Sequence, residues 1–170
     1  MKKAKSMLAV MGCAAMLLSG CTQSNIVTPS GEAAAPDFSI KEDVQIVWEQ
    51  VHEDLGEIFM ESDEYPNLEQ IGFNVNDEEK MVNLEVLVSE DTTKEEAVDY
   101  ATALVKAIND EVQIQSSYYE ASTAESYGGF FKEYGFHAVV APIRTEGDAS
   151  TYLVDDTVAA GEERAIKAVE

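Results

Sequence analysis

The two histidines are the side chains best suited to acid–base catalysis or metal binding near neutral pH. His52 is accompanied by Glu49, Glu53 and Glu57, whose i, i+4 spacing places the three carboxylates on one face of a helix. The second histidine of a His-Glu-x-x-His zinc motif is missing here, so the pattern favours a solvated acidic face over a metal site. His137 falls in a predicted strand, which favours a position beside the core over a role as a ligand.

The sequence contains no recognisable nucleophile motif or phosphate-binding loop. There is no Gly-x-Ser-x-Gly motif of the kind that presents a catalytic serine, and no Gly-x-Gly-x-x-Gly or Walker-type run. With 33 acidic residues, carboxylate pairs are expected by chance and do not identify a glycosidase-like site. The sequence therefore predicts that the protein is not an enzyme and that it uses no cofactor.

Residues 74–85 match part of an EF-hand calcium loop, which needs oxygen ligands at positions 1, 3 and 5, glycine at 6 and glutamate at 12. Four of these positions are matched, by Asn74, Asn76, Glu78 and Glu85, but Glu79 stands where the glycine should be. The same stretch also falls across a predicted hairpin. We interpret it as an ordinary β-turn and predict no metal site.

Aromatic residues are concentrated between residues 118 and 136, among Ser, Ala and Gly. Tyrosines beside small, flexible residues make adaptable contact surfaces, and aromatic side chains are enriched at protein interfaces. The tyrosines of this stretch form a candidate interaction surface: Tyr118, Tyr119, Tyr127 and Tyr134. In the alternative, which the composition favours, the three phenylalanines of the stretch fill the core and the tyrosines shield its rim.

The chain is strongly acidic, with 11 basic and 33 acidic residues and a formal net charge of −22. Charge of this sign repels nucleic-acid phosphates and anionic headgroups, so we expect no binding to nucleic acid. The excess of carboxylates is typical of a solvated surface, and its functional alternatives are a divalent cation or a basic partner. A length of 170 residues is sufficient for one domain with its own core.

Both cysteines lie near the N-terminus, at positions 13 and 21. Lysines at positions 2, 3 and 5 precede an apolar run that begins at Met7 and closes with Leu-Ser-Gly-Cys at 18–21. A basic start, a short apolar run and a small-residue cleavage site are typical of a secretory signal peptide. We therefore expect residues 1–20 to be removed from the mature protein.

Residues 18–21 resemble the lipobox of bacterial lipoproteins. In that class, a diacylglycerol is attached to the cysteine sulfur and the peptide is cut before that cysteine. The resemblance implies cleavage between Gly20 and Cys21, and a lipid on Cys21 that holds the protein on the extracytoplasmic side of the cell membrane, or on an outer membrane in a Gram-negative envelope. No second apolar run approaches the ~18 residues needed to span a bilayer, so we expect the lipid to be the only anchor.

Residues 21–37 are small and polar with two prolines, as is typical of a flexible tether. A single acidic domain is predicted to follow, over residues 38–170. Its first helix is indicated by a capping-box pattern at Ser39–Glu42 and by helical apolar spacing to about Ser62, with Trp48 predicted to be a core residue.

Thr92–Glu95 repeats the capping-box pattern and predicts a second amphipathic helix, with an apolar stripe through Val112. Alternating apolar residues at 71–75 and 82–88 predict a β-hairpin. The stretch 136–143 is apolar on both faces and predicts a central strand, and Thr151–Val154 predicts a further short one. The segment 116–129 is expected to be a long loop or a frayed strand.

Together these elements predict an α+β domain. Two amphipathic helices would pack on a three- to four-stranded antiparallel sheet as a two-layer sandwich, in the order α-β-β-α-β-β. A degenerate αββ duplication is left open, because a shift of 53 residues places 81–88 on 134–141.

Two functions are compatible with these patterns. The first is a non-catalytic interaction or accessory domain tethered in the cell envelope, with a protein partner there. The second is a lipoprotein that binds a small ligand or a divalent cation. A cavity lined by Tyr and Phe would favour the second function, whereas a flat, exposed aromatic patch would favour the first.

Overall fold

The computed structural model describes residues 44–170. The predicted signal peptide, the predicted lipidation site at Cys21 and the predicted tether lie outside this range. In chain order, the described elements are helix α1 (Trp48–Leu55) with a π-helical turn (Gly56–Met60), strands β1 (Leu68–Asn76) and β2 (Met81–Val88), helix α2 (Lys94–Gln115), and strands β3 (Gly135–Pro142) and β4 (Val154–Val158). The domain therefore has the predicted α+β class.

The four strands form one mixed sheet in the order β1-β2-β3-β4. β1 pairs antiparallel with β2, β3 pairs antiparallel with β4, and β2 and β3 run parallel. The prediction of a purely antiparallel sheet was wrong. The chain leaves β2 through α2 and returns beside β2 in the same direction, which is the connection that parallel neighbours require.

The predicted β-hairpin is confirmed, with Val75 of β1 opposite Val82 of β2. Its turn is organised by Asn76, whose side-chain oxygen accepts hydrogen bonds from the backbone N–H groups of Glu78 and Glu79, each at 3.1 Å. This is an Asx-type turn, in which an asparagine replaces a backbone acceptor. The partial calcium-loop match thus spans this turn and the two strands that flank it.

Helix α1 begins later than the capping-box pattern predicts. Residues 44–47 are not helical, and Val47 is the N-cap; the pattern at 39–42 itself lies outside the described residues. The N–H of Val47 donates to Oε1 of Gln115 at 2.7 Å, and Nε2 of Gln115 donates back to the carbonyl of Val47 at 3.3 Å. The end of α2 therefore satisfies the start of α1, a contact that no local signal reveals.

The apolar stripe of the first helix is only partly buried as a result. Val51, Leu55 and Phe59 are at most 3% exposed. Val44 and Val47 fall within the predicted amphipathic helix. In the structure they instead precede α1 and are 39% and 58% exposed. The π-helical turn, which begins at Gly56, also changes the residue spacing beyond α1.

The N-cap of helix α2 is Thr93, one residue after the predicted Thr92. Oγ1 of Thr93 accepts from the N–H of Glu96 at 3.2 Å, and Oε2 of Glu96 accepts from the N–H of Thr93 at 2.8 Å. The hydrogen bonds that Oε2 accepts from the N–H and the hydroxyl of Thr93 lower the pKa of Glu96. Thr92 and Glu95 have the same separation in the sequence, so sequence spacing alone does not distinguish the two pairs. In the structure, Thr92 is buried and Thr93 forms the cap.

Strand β3 is confirmed as a central strand, between β2 and β4. A further short strand follows β3 as predicted, but it lies at Val154–Val158 instead of Thr151–Val154, because residues 149–151 form a 3₁₀ turn. The turn is started by Asp148, whose Oδ1 accepts from the N–H of Ser150 at 3.1 Å. An aspartate that offers this local acceptor competes with strand formation.

The duplication suggested by the shift of 53 residues has no simple counterpart in the topology. The two stretches it relates fall on β2 and β3. β2 is the second strand after α1, whereas β3 is the first strand after α2. The shift therefore does not align one α-β-β unit with the next.

One hydrophobic core joins α1, α2, the four strands and the aromatic stretch. Helix α2 contributes its predicted stripe, and Ala101, Leu104, Val105, Ile108 and Val112 are fully buried. Burial of apolar side chains in such a core is the main favourable term in folding.

Candidate functional site

The aromatic stretch 118–136 consists of a buried part and a part that reaches the surface. The rings that are at most 6% exposed are Tyr127, Phe130, Phe131, Tyr134 and Phe136. Tyr119 is half-buried, and Tyr118 is 37% exposed. The prediction that the phenylalanines fill the core is confirmed. Of the four tyrosines predicted as an interaction surface, Tyr118 and Tyr119 are the two whose rings reach solvent.

Two side chains of α2 hold the loop that precedes the buried rings. Asn109, which is fully buried, donates from Nδ2 to the carbonyl of Glu120 and accepts at Oδ1 from the N–H of Phe130, each at 3.0 Å. Asp110 accepts from the N–H and the hydroxyl of Ser122 at 2.7 and 2.8 Å. The segment predicted as a long loop or a frayed strand is a loop, and side chains of α2 fix its position by hydrogen bonds.

Sequence reasoning missed this role of Asn109, although one signal was present. Asn109 lies four residues after Val105 and three before Val112, within the buried stripe of α2. A polar residue at a core-facing position has to find hydrogen-bond partners there.

Gly128 allows the loop to approach Asn109. Its φ is +98°, and a Cβ atom at this position would lie 2.0 Å from Nδ2 of Asn109. Gly129 is equally close to the chain, since its Cβ would lie 2.3 Å from the backbone nitrogen of Glu120. Only hydrogen fits at either position.

The exposed end of the aromatic stretch lines a cleft of about 400 Å³, which we call the aromatic cleft. It is bounded by the residues before α1, by the β1–β2 turn and by the aromatic stretch. Its aromatic and charged lining consists of Trp48, Tyr119, Phe130, Tyr134, Asp77, Lys80 and Glu133. A volume of this size lies within the usual range for small-molecule sites.

Phe130 is the central ring of the cleft. It stacks on Tyr134, with ring centroids 4.3 Å apart and planes at 19°, and it meets the edge of Tyr119 at 5.5 Å and 86°. Trp48 packs against Phe130 at 5.7 Å with a tilt of 56°. Stacked and edge-to-face pairs at these distances stabilise one another beyond the area they bury, so the walls of the cleft are preformed.

The polar end of the cleft is a short hydrogen-bonded chain. The hydroxyl of Tyr134 donates to Oδ1 of Asp77 at 2.7 Å and accepts from Nζ of Lys80 at 2.8 Å. The ammonium group of Lys80 also lies 4.4 Å from the centroid of the Tyr134 ring. The hydrogen bond with Tyr134, and the nearby Asp77 and Glu133, raise the pKa of Lys80.

Tyr119 and Glu133 also line the cleft, and Tyr118 contacts Glu133 from outside the cleft lining. The hydroxyl of Tyr118 donates to Oε1 of Glu133 at 3.0 Å. Burial, and the negative charge of Glu133, raise the pKa of Tyr119 to about 12. Among residues 44–170, no hydrogen bond is made by the hydroxyl of Tyr119. This hydroxyl can therefore serve a bound molecule as donor or acceptor.

The two histidines lie outside the cleft lining. The ring of His52 stacks on Phe73, with centroids 3.8 Å apart and planes at 15°. Nε2 of His137 lies 2.8 Å from Oδ1 of Asp155 on the neighbouring strand, and both side chains are partly exposed. The structure thus does not bring either histidine together with the predicted tyrosine surface.

Within the part of the chain that the structure describes, no three His, Cys, Asp or Glu side chains are arranged to hold a metal ion. The helices of residues 44–170 also include none that is long and apolar enough to cross a bilayer.

Comparison with known proteins gives no family. No protein-family model matches the sequence, and no curated protein or solved structure is significantly similar to it. A functional hypothesis for this chain has to rest on the geometry of the aromatic cleft and on the residues that hold it.

Proposed function

We propose that this protein is a lipid-anchored component of a bacterial cell envelope whose acidic, non-catalytic domain binds a small organic ligand. The observation that carries the ligand-binding proposal is the aromatic cleft, a preformed space of about 400 Å³ walled by Trp48, Tyr119, Phe130 and Tyr134. Ligand sites are typically concave and lined by aromatic side chains with a few placed polar groups. All four of these rings are half-buried or buried in the domain, which fits a cavity better than a flat contact patch.

The architecture we propose is a two-layer sandwich, with both helices on one face of the sheet. The burial pattern of the two central strands supports it. On β2, Val82, Leu84 and Val86 point to one face and are at most 2% exposed, whereas Glu85 on the opposite face is exposed. Alternation of this kind is typical of a sheet that is packed on one face and solvated on the other. On β3, His137 pairs with Asn83 of β2 and is partly exposed, which fits the solvated face.

The non-catalytic part of the proposal is supported by how the polar groups of the cleft are used. Asp77, Lys80 and Tyr134 are hydrogen-bonded to one another. Such an arrangement fixes the position of the Tyr134 hydroxyl and presents charge to a ligand. The oxygen of that hydroxyl already accepts a hydrogen bond from Lys80, which occupies a lone pair that a nucleophile would use.

Trp48 makes ligand binding directly measurable, because it is the one tryptophan of the chain and it lines the cleft. The lipidated protein in mild detergent is titrated with a panel of small amines, amino acids and sugars. A true ligand is expected to change the Trp48 emission saturably and to raise the melting temperature, since a molecule that binds only the folded state stabilises it. A panel in which no compound produces both changes would contradict ligand binding.

The anchor is tested separately, by fractionation of cells that express the Cys21→Ala variant. Without the acceptor sulfur, we expect the protein to leave the membrane fraction, because two acyl chains supply the proposed attachment. The matched control is Cys13→Ala, which removes the other cysteine from the same apolar run. Continued tight membrane association of Cys21→Ala would refute the lipid-anchor assignment.

A protein partner in the envelope is the second candidate function, and one observation favours it. Ile114 is 71% exposed and precedes Gln115, whose side chain is hydrogen-bonded to Val47, itself 58% exposed. The two exposed apolar residues therefore lie on segments that are hydrogen-bonded to each other, and a contiguous exposed apolar patch there would mark a contact site.

The partner hypothesis is tested by a pull-down of the tagged, lipidated protein from its native membrane, read by mass spectrometry. A stoichiometric partner that is lost in Ile114→Glu but kept in Ile143→Glu would support it. Ile143 is a suitable control, because it is also exposed, at 39%, but follows β3. Recovery of the protein without any partner would leave ligand binding as the better hypothesis.

A further inference from the structure

The aromatic cleft already holds an ammonium group, which belongs to the protein itself. Nζ of Lys80 lies 4.4 Å from the centroid of the Tyr134 ring and 2.8 Å from the Tyr134 hydroxyl. A cation within about 6 Å of an aromatic centroid is attracted by the negative charge on the face of the ring. The rings of this cleft therefore have the geometry that stabilises an alkylammonium ion.

The charges around the cleft also favour a cation. Its charged lining consists of two acidic side chains, Asp77 and Glu133, and a single lysine. The whole chain carries a net charge of −22. A field of this sign raises the local concentration of cations and disfavours anions. The hydroxyl of Tyr119, with no hydrogen-bond partner among the described residues, adds a polar group that faces the same space.

The ammonium group of Lys80 can be displaced from the ring of Tyr134. Its side chain is exposed and belongs to the β1–β2 turn, where its φ of +52° places it in the left-handed region. A lysine ammonium on a flexible four-carbon stem can leave one acceptor for solvent at little cost. A second cation of suitable size could then take the same position over Tyr134.

We propose that the ligand of the aromatic cleft is a small organic cation with an alkylammonium group, held over the ring of Tyr134 beside Asp77 and Glu133, where it replaces the ammonium group of Lys80. This inference deepens the ligand-binding function proposed above and rests on it. Lys80 then acts as a competitor that occupies the site when no ligand is bound.

The test compares choline with 3,3-dimethylbutan-1-ol, which has the same shape with a carbon in place of the charged nitrogen. Each is titrated into the lipidated protein while Trp48 emission and the melting temperature are followed. We expect choline to bind saturably and the neutral alcohol to bind at least about fivefold more weakly, since a partly exposed cation–π contact contributes about 1 kcal/mol.

Three variants assign the effect to the named groups. Lys80→Met removes the competing charge at similar length, and we expect choline to bind about fivefold more tightly. Asp77→Asn removes a carboxylate that faces the cleft, and we expect choline to bind several-fold more weakly. Glu78→Gln, in the same turn but outside the cleft lining, is the matched control and should bind choline as the wild type does.

The outcomes distinguish this inference from the function on which it rests. Equal binding of choline and the neutral alcohol would overturn the cation inference and leave a cleft that selects by shape. Failure of choline and of the amines of the panel, when an uncharged compound of the panel binds the cleft, would overturn it in the same way. A Lys80→Met protein with the wild-type melting temperature and no gain in affinity would overturn the competitor role of Lys80. Failure of the entire panel would remove the ligand-binding function itself.

Discussion

The two ends of the aromatic stretch contain the same residue types and are used differently. At the inner end, Tyr127 and Phe131 are buried beside a loop that Asn109 holds from α2. At the outer end, Tyr118 and Tyr119 reach solvent, and Tyr119 lines the aromatic cleft. The difference teaches that the groups packed against a tyrosine, and not the residue type, decide whether it stabilises the fold or faces a ligand.

The largest expected effect comes from Gly128, at the inner end. Gly128→Ala would place a Cβ atom 2.0 Å from Nδ2 of Asn109 at a φ of +98°, so the loop or Asn109 has to move. We expect a loss of at least about 3 kcal/mol in the free energy of unfolding, measured by urea denaturation. Gly147→Ala is the matched control, because Gly147 has a φ of +83° but nothing within 4 Å of its Cβ position.

The control separates the backbone effect from the steric one. Gly147→Ala should cost only about 1–2 kcal/mol, the penalty of a left-handed conformation for an L-residue. Equal losses for the two variants would mean that the approach of Gly128 to Asn109 is not tight, and that the inner end is less constrained than described.

Asn109→Ala should have the next largest effect. It leaves the carbonyl of Glu120 and the N–H of Phe130 without their partner, and a buried group that loses its hydrogen bond costs about 1–3 kcal/mol. We expect a loss of about 3 kcal/mol in denaturant unfolding. The control is Asn83→Ala, which removes one exposed hydrogen bond to Asn74 and should cost less than about 0.5 kcal/mol. A similar cost for both variants would refute the role of Asn109 in holding the loop.

Trp48 lies between the two ends, since it packs against Phe130 and also lines the cleft. A fully buried tryptophan replaced by alanine costs about 3–5 kcal/mol. Trp48 is only half-buried, so for Trp48→Ala we expect about 2 kcal/mol, read from the melting temperature. Val47→Ala, at a 58% exposed neighbour, is the control and should change little. An unchanged melting temperature in Trp48→Ala would mean that α1 faces the other way.

The smallest effect at neutral pH is expected at the outer end, for Tyr119→Phe. The hydroxyl makes no hydrogen bond among the described residues, so its removal should leave the melting temperature at pH 7 nearly unchanged. The effect should appear in alkali. Burial raises the pKa of Tyr119 from the ordinary 10.0 to about 12, so the stability gained from the neutral phenol is present below pH 10 and lost as the pH rises to about 12.

The alkaline behaviour is measured from tyrosinate absorbance and from melting temperatures between pH 9 and pH 12. Tyr119→Phe should lack the component that titrates near pH 12, and it should lose less stability across this interval than the wild type. A missing component that titrates near the ordinary pKa of 10.0 instead would show that Tyr119 is not buried in the folded state.

Local patterns were sufficient to predict several elements of the fold. The hairpin of β1 and β2 followed from two alternating runs around polar turn residues, and the stripe of α2 followed from its helical spacing. The central position of β3 followed from a run that is apolar on both faces. These features depend on residues close together in the chain, where periodicity is informative.

The aromatic cleft could not be predicted in the same way. Its walls come from residues as far apart as Trp48, Asp77 and Tyr134, and no period or spacing relates them. The sequence indicated only that aromatic residues were concentrated at 118–136. It did not indicate that Lys80, from a hairpin turn, would place its ammonium over one of those rings.

The sequence by itself determined the α+β class, the acidic surface and the resemblance of residues 18–21 to a lipobox, because composition and short-range pattern encode these properties. Tertiary structure alone decided three other features. These are the parallel pairing of β2 and β3, the start of α1 at the side chain of Gln115, and the division of the tyrosines between core and cleft. Each depends on which distant residues come into contact, and contacts between distant residues leave no local pattern in the chain.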